Sequence, residues 1–139
     1  MQKIILDTNV IVSALITNGI PSKIVEELVI EKKVNICLSH EILDEYLGVI
    51  NRKKFSATKE FHLYAEQLIY QIENFSLMYL PEMKLDILSD KSDNKFLELA
   101  IESKANFLIT GNTKDFTIKE IEKTKIVTPR IYWENYKPQ

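Results

Sequence analysis

The side chains with the type and placement to do chemistry are Asp7, Glu45, Asp93, Asn112 and Asp115. Asp93 says most, because it is a carboxylate where an apolar side chain belongs. The segment Ser92-Asp93-Asn94-Lys95-Phe96-Leu97-Glu98-Leu99-Ala100-Ile101 reads as a helix start, with Phe96, Leu97 and Ala100 at i+3, i+4 and i+7 from Asp93. The acid therefore heads the stripe that should face the core. A carboxylate half-removed from water is costly unless a cation or several donors meet it. A helix N-terminus offsets only about 0.3–1 kcal/mol of that cost, and a bound metal would offset far more. Asp7 directly follows an apolar run and reads, alone, equally as a helix N-cap. Glu45 has Ile42 at i−3 and Val49 at i+4, so it borders an apolar face more closely than Glu41 or Asp44. Asn112 and Asp115 follow another apolar run, where turn chemistry also favours their types. Taken together these are oxygen donors at strand ends and inward helix edges. Hard cations such as Mg²⁺ and Mn²⁺ take oxygen ligands, and a pair of them can flank a scissile phosphate.

Bringing such positions together requires strands that end near one another. The run 3–6 reads as a buried strand, followed by a helix over 10–15 and the turn-rich Asn18-Gly19-Ile20-Pro21. Ser22 is expected to cap a helix carrying Ile24, Val25, Leu28 and Val29 on one side. A second strand covers 34–38, and Ser39 caps a helix reaching 50. A longer amphipathic helix over 58–74 turns Phe61, Tyr64, Ala65, Leu68, Ile69 and Ile72 inward. A strand over 77–80, a loop through 86–91, the Asp93 helix and a strand over 107–110 follow. Thr117-Ile118-Lys119-Glu120 has the spacing of a capping box for a short helix, and 125–127 reads as a last strand. Strands alternating with helices imply an α/β fold: a central, mostly parallel sheet with helices on both faces. Ligands of such sheets bind outside the carboxyl ends of the strands, which is where Asp7 and Asn112 fall.

The 139 residues, 45% hydrophobic and 27% charged, fit a single domain over 1–139 of ordinary soluble character. A net charge of −2 excludes a broad basic face for nucleic acid, so such binding would need a local patch or bridging metal ions. Cys37, the lone cysteine, lies in an apolar run and suits a reducing cytoplasm. No segment has the length of a signal peptide core or membrane span, so a cytoplasmic location is expected. His40 and His62 lack metal-ligand spacing, and the glycines form no phosphate-binding loop. Arg52-Lys53-Lys54 with Lys59 forms a basic cluster that reads either as a solvated loop or as an RNA contact.

These residues match a family pattern. Ile5-Leu6-Asp7-Thr8-Asn9, the stretch 39–47 around Glu45, Asp90-Lys91-Ser92-Asp93-Asn94-Lys95-Phe96-Leu97 and Leu108-Ile109-Thr110-Gly111-Asn112-Thr113-Lys114-Asp115-Phe116 occur in an order and separation that resembles the PIN-domain ribonucleases. Within them the chain most resembles the toxin-like branch that includes VapC toxins. The resemblance implies a three-layer PIN-like fold and a Mg²⁺- or Mn²⁺-dependent endoribonuclease. It also implies RNA as substrate, an antitoxin partner that blocks the site, and a homodimer. By the same resemblance Asp7, Glu45 and Asp93 match the metal-binding and catalytic acids. Asn112 matches the fourth metal position, where many members have Asp, and Asp115 is a further catalytic candidate. Asn112 departs from the pattern and favours an alternative, a weak or inactive PIN-like module that binds RNA or protein. A third reading, phosphotransfer with Asp7 as nucleophile, would want a second acid at position 9, where the chain has Asn9.

Overall fold

The computed structural model describes residues 1–114 and 116–139, the side chains of Lys53 and Ser56 excepted. Asp115 therefore lies outside the described residues. The strands are β1 (Lys3–Leu6), β2 (Asn35–Ser39), β3 (Leu77–Tyr79), β4 (Phe107–Ile109), β5 (Glu120–Ile121) and β6 (Thr124–Val127). They form one sheet in the order β3-β2-β1-β4-β6-β5. Every pairing is parallel except β5 with β6. The helices are α1 (Thr8–Ile16), α2 (Ile20–Lys23), α3 (His40–Ile50), α4 (Lys53–Ser56), α5 (Lys59–Phe75), α6 (Asn94–Ser103) and α7 (Pro129–Ile131). Wider π-type turns extend α2 through Ile24–Ile30 and α7 through Tyr132–Tyr136.

The central strands read as unbroken apolar runs because both of their faces are covered. Ile4, Ile5, Leu6, Ile36, Cys37, Leu38, Leu108 and Ile109 are all fully buried. Burial pushes the Cys37 thiol up to about 11, which leaves it an inert packing group. Connections run from β1 to β2 to β3 in one direction and from β3 back to β4 in the other. Right-handed crossovers then place α6 on the opposite face from α1 to α5. Among the described residues no helix is long and apolar enough to cross a membrane.

Three local expectations are corrected. The capping-box spacing at Thr117 does not start a helix; the chain there runs to β5, which pairs with β6 as a hairpin. Only Ile118 and Ile121 could have given that short helix an apolar face, too little to offset the cost of nucleating it. The sheet edge instead supplies partners, with Ile126 N–H donating to the Lys119 carbonyl at 2.9 Å. Glu122 takes φ 50°, the positive φ a two-residue hairpin loop requires. Ser22 is buried inside α2 rather than capping it, since Gly19 is the N-cap and Pro21 occupies the first turn. Tyr64 is 45% exposed, because the inward stripe of α5 is the narrower set Ala65, Leu68, Ile69 and Ile72. After β6 the chain also forms a helix that the sequence reading lacks, opened by Thr128 Oγ1 accepting from Ile131 N–H with Pro129 in the first turn.

Candidate active site

The chain leaves β1 toward β2 and leaves β4 toward β6, so the strand order switches between β1 and β4. Diverging connections open a crevice at the carboxyl ends of those two strands. Asp7 follows β1 and Thr110 follows β4, and both lie in that crevice. Asp7 is the N-cap of α1, with Oδ1 accepting from Thr8 N–H at 2.7 Å. Its Oδ2 accepts from Thr110 Oγ1 at 2.7 Å and from Asn9 Nδ2 at 3.2 Å. The cap thus uses Oδ1, and Oδ2 is held by side chains of the crevice. Only 5% of the residue is exposed. Burial pushes its carboxyl above the usual carboxylate range. The bonds from Thr110 and Thr8 oppose that rise; the charge of Glu45 adds to it, and that of Lys95 counters it.

Thr110 is fully buried, and its hydroxyl serves both the Asp7 carboxylate and the Asn112 N–H, the latter at 3.1 Å. Thr110→Val keeps the shape and removes both bonds. We expect a loss of about 1.5–3 kcal/mol, the range for a hydrogen bond to a charged group. Urea denaturation in chelator measures it, and a change within experimental error would show that the hydroxyl does not support Asp7.

Glu45 is positioned by α3. Ser39 caps that helix through Ile42 N–H at 3.3 Å, and Ile42, Tyr46 and Val49 pack inward. The fully buried Tyr46 hydroxyl donates to the Leu6 carbonyl, pinning α3 against the end of β1. Glu45 is half-buried beside it. Thr8 Oγ1 donates to its Oε2, and Lys95 Nζ lies 2.5 Å from its Oε1. Asp93 is half-buried in the 3₁₀ turn Lys91–Asp93 that leads into α6. Asp90 caps that turn, accepting from Ser92 N–H at 3.0 Å and Ser92 Oγ at 2.6 Å. Those bonds hold its carboxyl below the usual carboxylate range. The approach to the turn is stitched to α6: Asn94 Oδ1 accepts from Ile87 and Leu88 N–H, and Glu98 Oε2 accepts from Leu85 N–H at 2.8 Å.

The structure brings Asp7, Glu45 and Asp93 to one cleft of about 450 Å³, with Thr8, Asn9 and Asp90 also in its wall. Arg52 and Lys54 of the basic cluster line the same cleft. Asn112 stands on the exposed loop beyond β4, outside that lining. Asp90, Thr8 and Lys95 were not singled out by sequence reasoning. Lys95 carried no signal, since it follows the polar stretch Ser92-Asp93-Asn94 and only precedes the apolar pair Phe96-Leu97. Among the described residues, no three His, Cys, Asp or Glu side chains form a group that could hold a metal ion as they stand. The donor chemistry nonetheless fits a hard cation: every titratable acid in the cleft presents oxygen, and the most buried of them carries a charge its surroundings do not fully offset.

Two comparisons with known proteins bear on this arrangement. An uncharacterized protein of Methanocaldococcus jannaschii is 33% identical over 147 residues, covering 96% of this chain and 91% of the relative. Residues 3–114 match the PIN domain, a span that begins at β1 and closes on the loop after β4. It contains every acid of the cleft, and on that match the chain belongs to the PIN domain family.

Proposed function

We propose that this protein is a metal-dependent endoribonuclease that hydrolyses phosphodiester bonds of single-stranded RNA, using Mg²⁺ or Mn²⁺. The observation that carries the reading is the convergence of Asp7, Glu45 and Asp93 on one cleft at the switch point of a PIN domain. PIN domains are generally nucleases and typically use divalent metals. Asp7, Glu45 and Asp93 would hold the ion, with Asn112 as an uncharged fourth donor reached by its loop. A divalent ion there supplies Lewis acidity toward the phosphate and charge neutralisation. The residues of the chain do the rest. Asp7 and Asp93 hold negative charge where the ion is wanted, Thr8 and Lys95 fix the orientation of Glu45, and Arg52 and Lys54 offer cations to the phosphates of the strand. This local patch answers the net charge of −2, which by itself gives no basis for holding a polyanion.

We place the protein as the toxin of a toxin–antitoxin pair acting in the cytoplasm, with an antitoxin covering the cleft and a second copy of the chain as a further partner. Leu80, Met83 and Ile87, exposed on the segment after β3, supply apolar surface for such contacts. The second reading, a binding module without cleavage, is favoured by the amide at Asn112.

One titration separates the readings. Purified protein with a labelled RNA should cleave when Mg²⁺ or Mn²⁺ is added and stop in chelator. Binding without cleavage at every metal concentration supports the module, and cleavage indifferent to chelator overturns the metal-dependent reading. Replacing Arg52 and Lys54 together by Ala should weaken RNA binding and lower the salt slope of log Kd by about 0.7 for each phosphate that is no longer neutralised. An unchanged slope would show that the strand takes another path.

A further inference from the structure

Among the described residues Lys95 is the only buried lysine, 8% exposed on the first turn of α6. Its ammonium lies 2.5 Å from Glu45 Oε1 and donates to the Ser92 carbonyl, tying α3 to the turn that carries Asp93. A lysine is almost never this buried unless a partner meets it, and here the partner belongs to the acidic cleft. The ammonium also lies beside the Phe96 ring, 5.5 Å from its centroid. The charge balance is informative. The cleft sets Asp7, Glu45, Asp90 and Asp93 against Arg52 and Lys54, and one of those carboxylates is already met from within the fold: Lys95 Nζ lies on Glu45 Oε1 while Thr8 Oγ1 donates to Oε2. The fourth position adds no charge, because Asn112 is an amide.

We propose that Lys95 is a resident cation of the cleft, holding Glu45 so that the cleft takes one divalent ion rather than two. The proposal rests on the metal-dependent reading above. Lys95 is a positioning residue here: it acts through Glu45 and through the local charge, and it touches neither RNA nor the scissile phosphate. Substituting it should change how many ions the cleft holds before any RNA is present.

The test uses the full chain, stripped with chelator and titrated with Mn²⁺ alone. Calorimetry gives the affinity, electron paramagnetic resonance counts the bound ions, and melting curves are taken with and without Mn²⁺. Wild type and Lys95→Arg, which keeps the charge, should take one Mn²⁺ per chain. Lys95→Gln removes the charge while keeping an N–H for the Ser92 carbonyl; it should take a second Mn²⁺ and bind the first about tenfold more tightly. It should also melt lower than wild type in chelator and gain more from Mn²⁺, because the carboxylates then lack their internal counter-charge. Lys95→Met repeats the experiment without the donor, so a folding defect in one variant leaves the other to decide. Wild-type count and affinity in both variants, or two ions in the wild type, would overturn the proposal while the metal-dependent reading stands. Mn²⁺ binding by neither wild type nor variants would overturn that reading, and the resident-cation role with it.

Discussion

Asp7→Asn and Asp93→Asn should each lower the rate of RNA cleavage by about a thousandfold while leaving the protein folded. Each substitution removes a charge and keeps the volume, so it tests charge rather than shape. Asn serves as an N-cap about as well as Asp, so Asn at position 7 keeps the bond to Thr8 N–H that starts α1. The loss should fall on turnover rather than on RNA affinity, because the phosphate contacts we assign are to Arg52 and Lys54. Cleavage at the wild-type rate by either variant would remove that acid from the mechanism. Asp7→Asn should have a second signature in chelator. Burial holds the folded-state carboxyl of Asp7 above its ordinary range, so protonated Asp7 favours the fold and ionised Asp7 opposes it. That contribution is fully present below the ordinary carboxylate pKa and is lost as the pH rises through the folded value. Wild type minus Asp7→Asn stability should therefore decline from about pH 4 toward neutrality, from the ordinary carboxylate pKa upward. A difference that grows with pH over that range would mean that Thr110, Thr8 and Lys95 outweigh burial.

The largest effect on stability should come from Tyr132→Ala, far from the chemistry. Tyr132 is fully buried at the start of the C-terminal π turn. Its ring meets Phe107 of β4 edge-on at 5.4 Å between centroids, and its hydroxyl donates to Gln2 Oε1. It thus clamps the last helix to β4 and to the residues just before β1. Truncation leaves a large cavity, with an expected cost of about 3–5 kcal/mol. For a domain that commonly has only about 5–15 kcal/mol in hand, roughly a third of its stability would go. Tyr132→Phe keeps the ring and should cost only about 1 kcal/mol, the worth of one hydrogen bond. Thermal unfolding distinguishes them; equal losses in both would put the weight on the hydroxyl instead of the ring.

The parallel sheet was legible because its strands are buried on both faces and read as short unbroken apolar runs, as Ile4-Ile5-Leu6 and Phe107-Leu108-Ile109 do. Asp7 stood out because it interrupts such a run at its end, and Asp93 because it heads an apolar stripe. The hairpin of β5 and β6 was not legible, since Thr117-Ile118-Lys119-Glu120 carries a local helix signal and the pairing that overrides it is made with another strand. The C-terminal helix escaped for a different reason: its anchor is Tyr132 against Phe107, a contact no local pattern announces. Lys95 was hidden by its type and place, because a lysine after Ser92-Asp93-Asn94 in the first turn of a helix is ordinarily read as reaching to water. Only its meeting with Glu45, on a helix far earlier in the sequence, shows that it does not.

The bond between Thr110 and Asp7 spans 103 positions of the chain. During synthesis the segments bearing Asp7, Glu45 and Asp93 emerge first, and β1 can pair only with β2 until β4 arrives to take its other side. Until then the inner edge of β1 offers open N–H and C=O groups, a template for joining another chain. The Asp7 carboxylate meanwhile lacks the hydroxyl that meets it in the finished fold. For a chain that cuts RNA, as we propose, the Asp7 carboxylate reaches its finished surroundings only after β4 has joined the sheet. The same order of events makes the interval before β4 arrives the most hazardous for the chain itself.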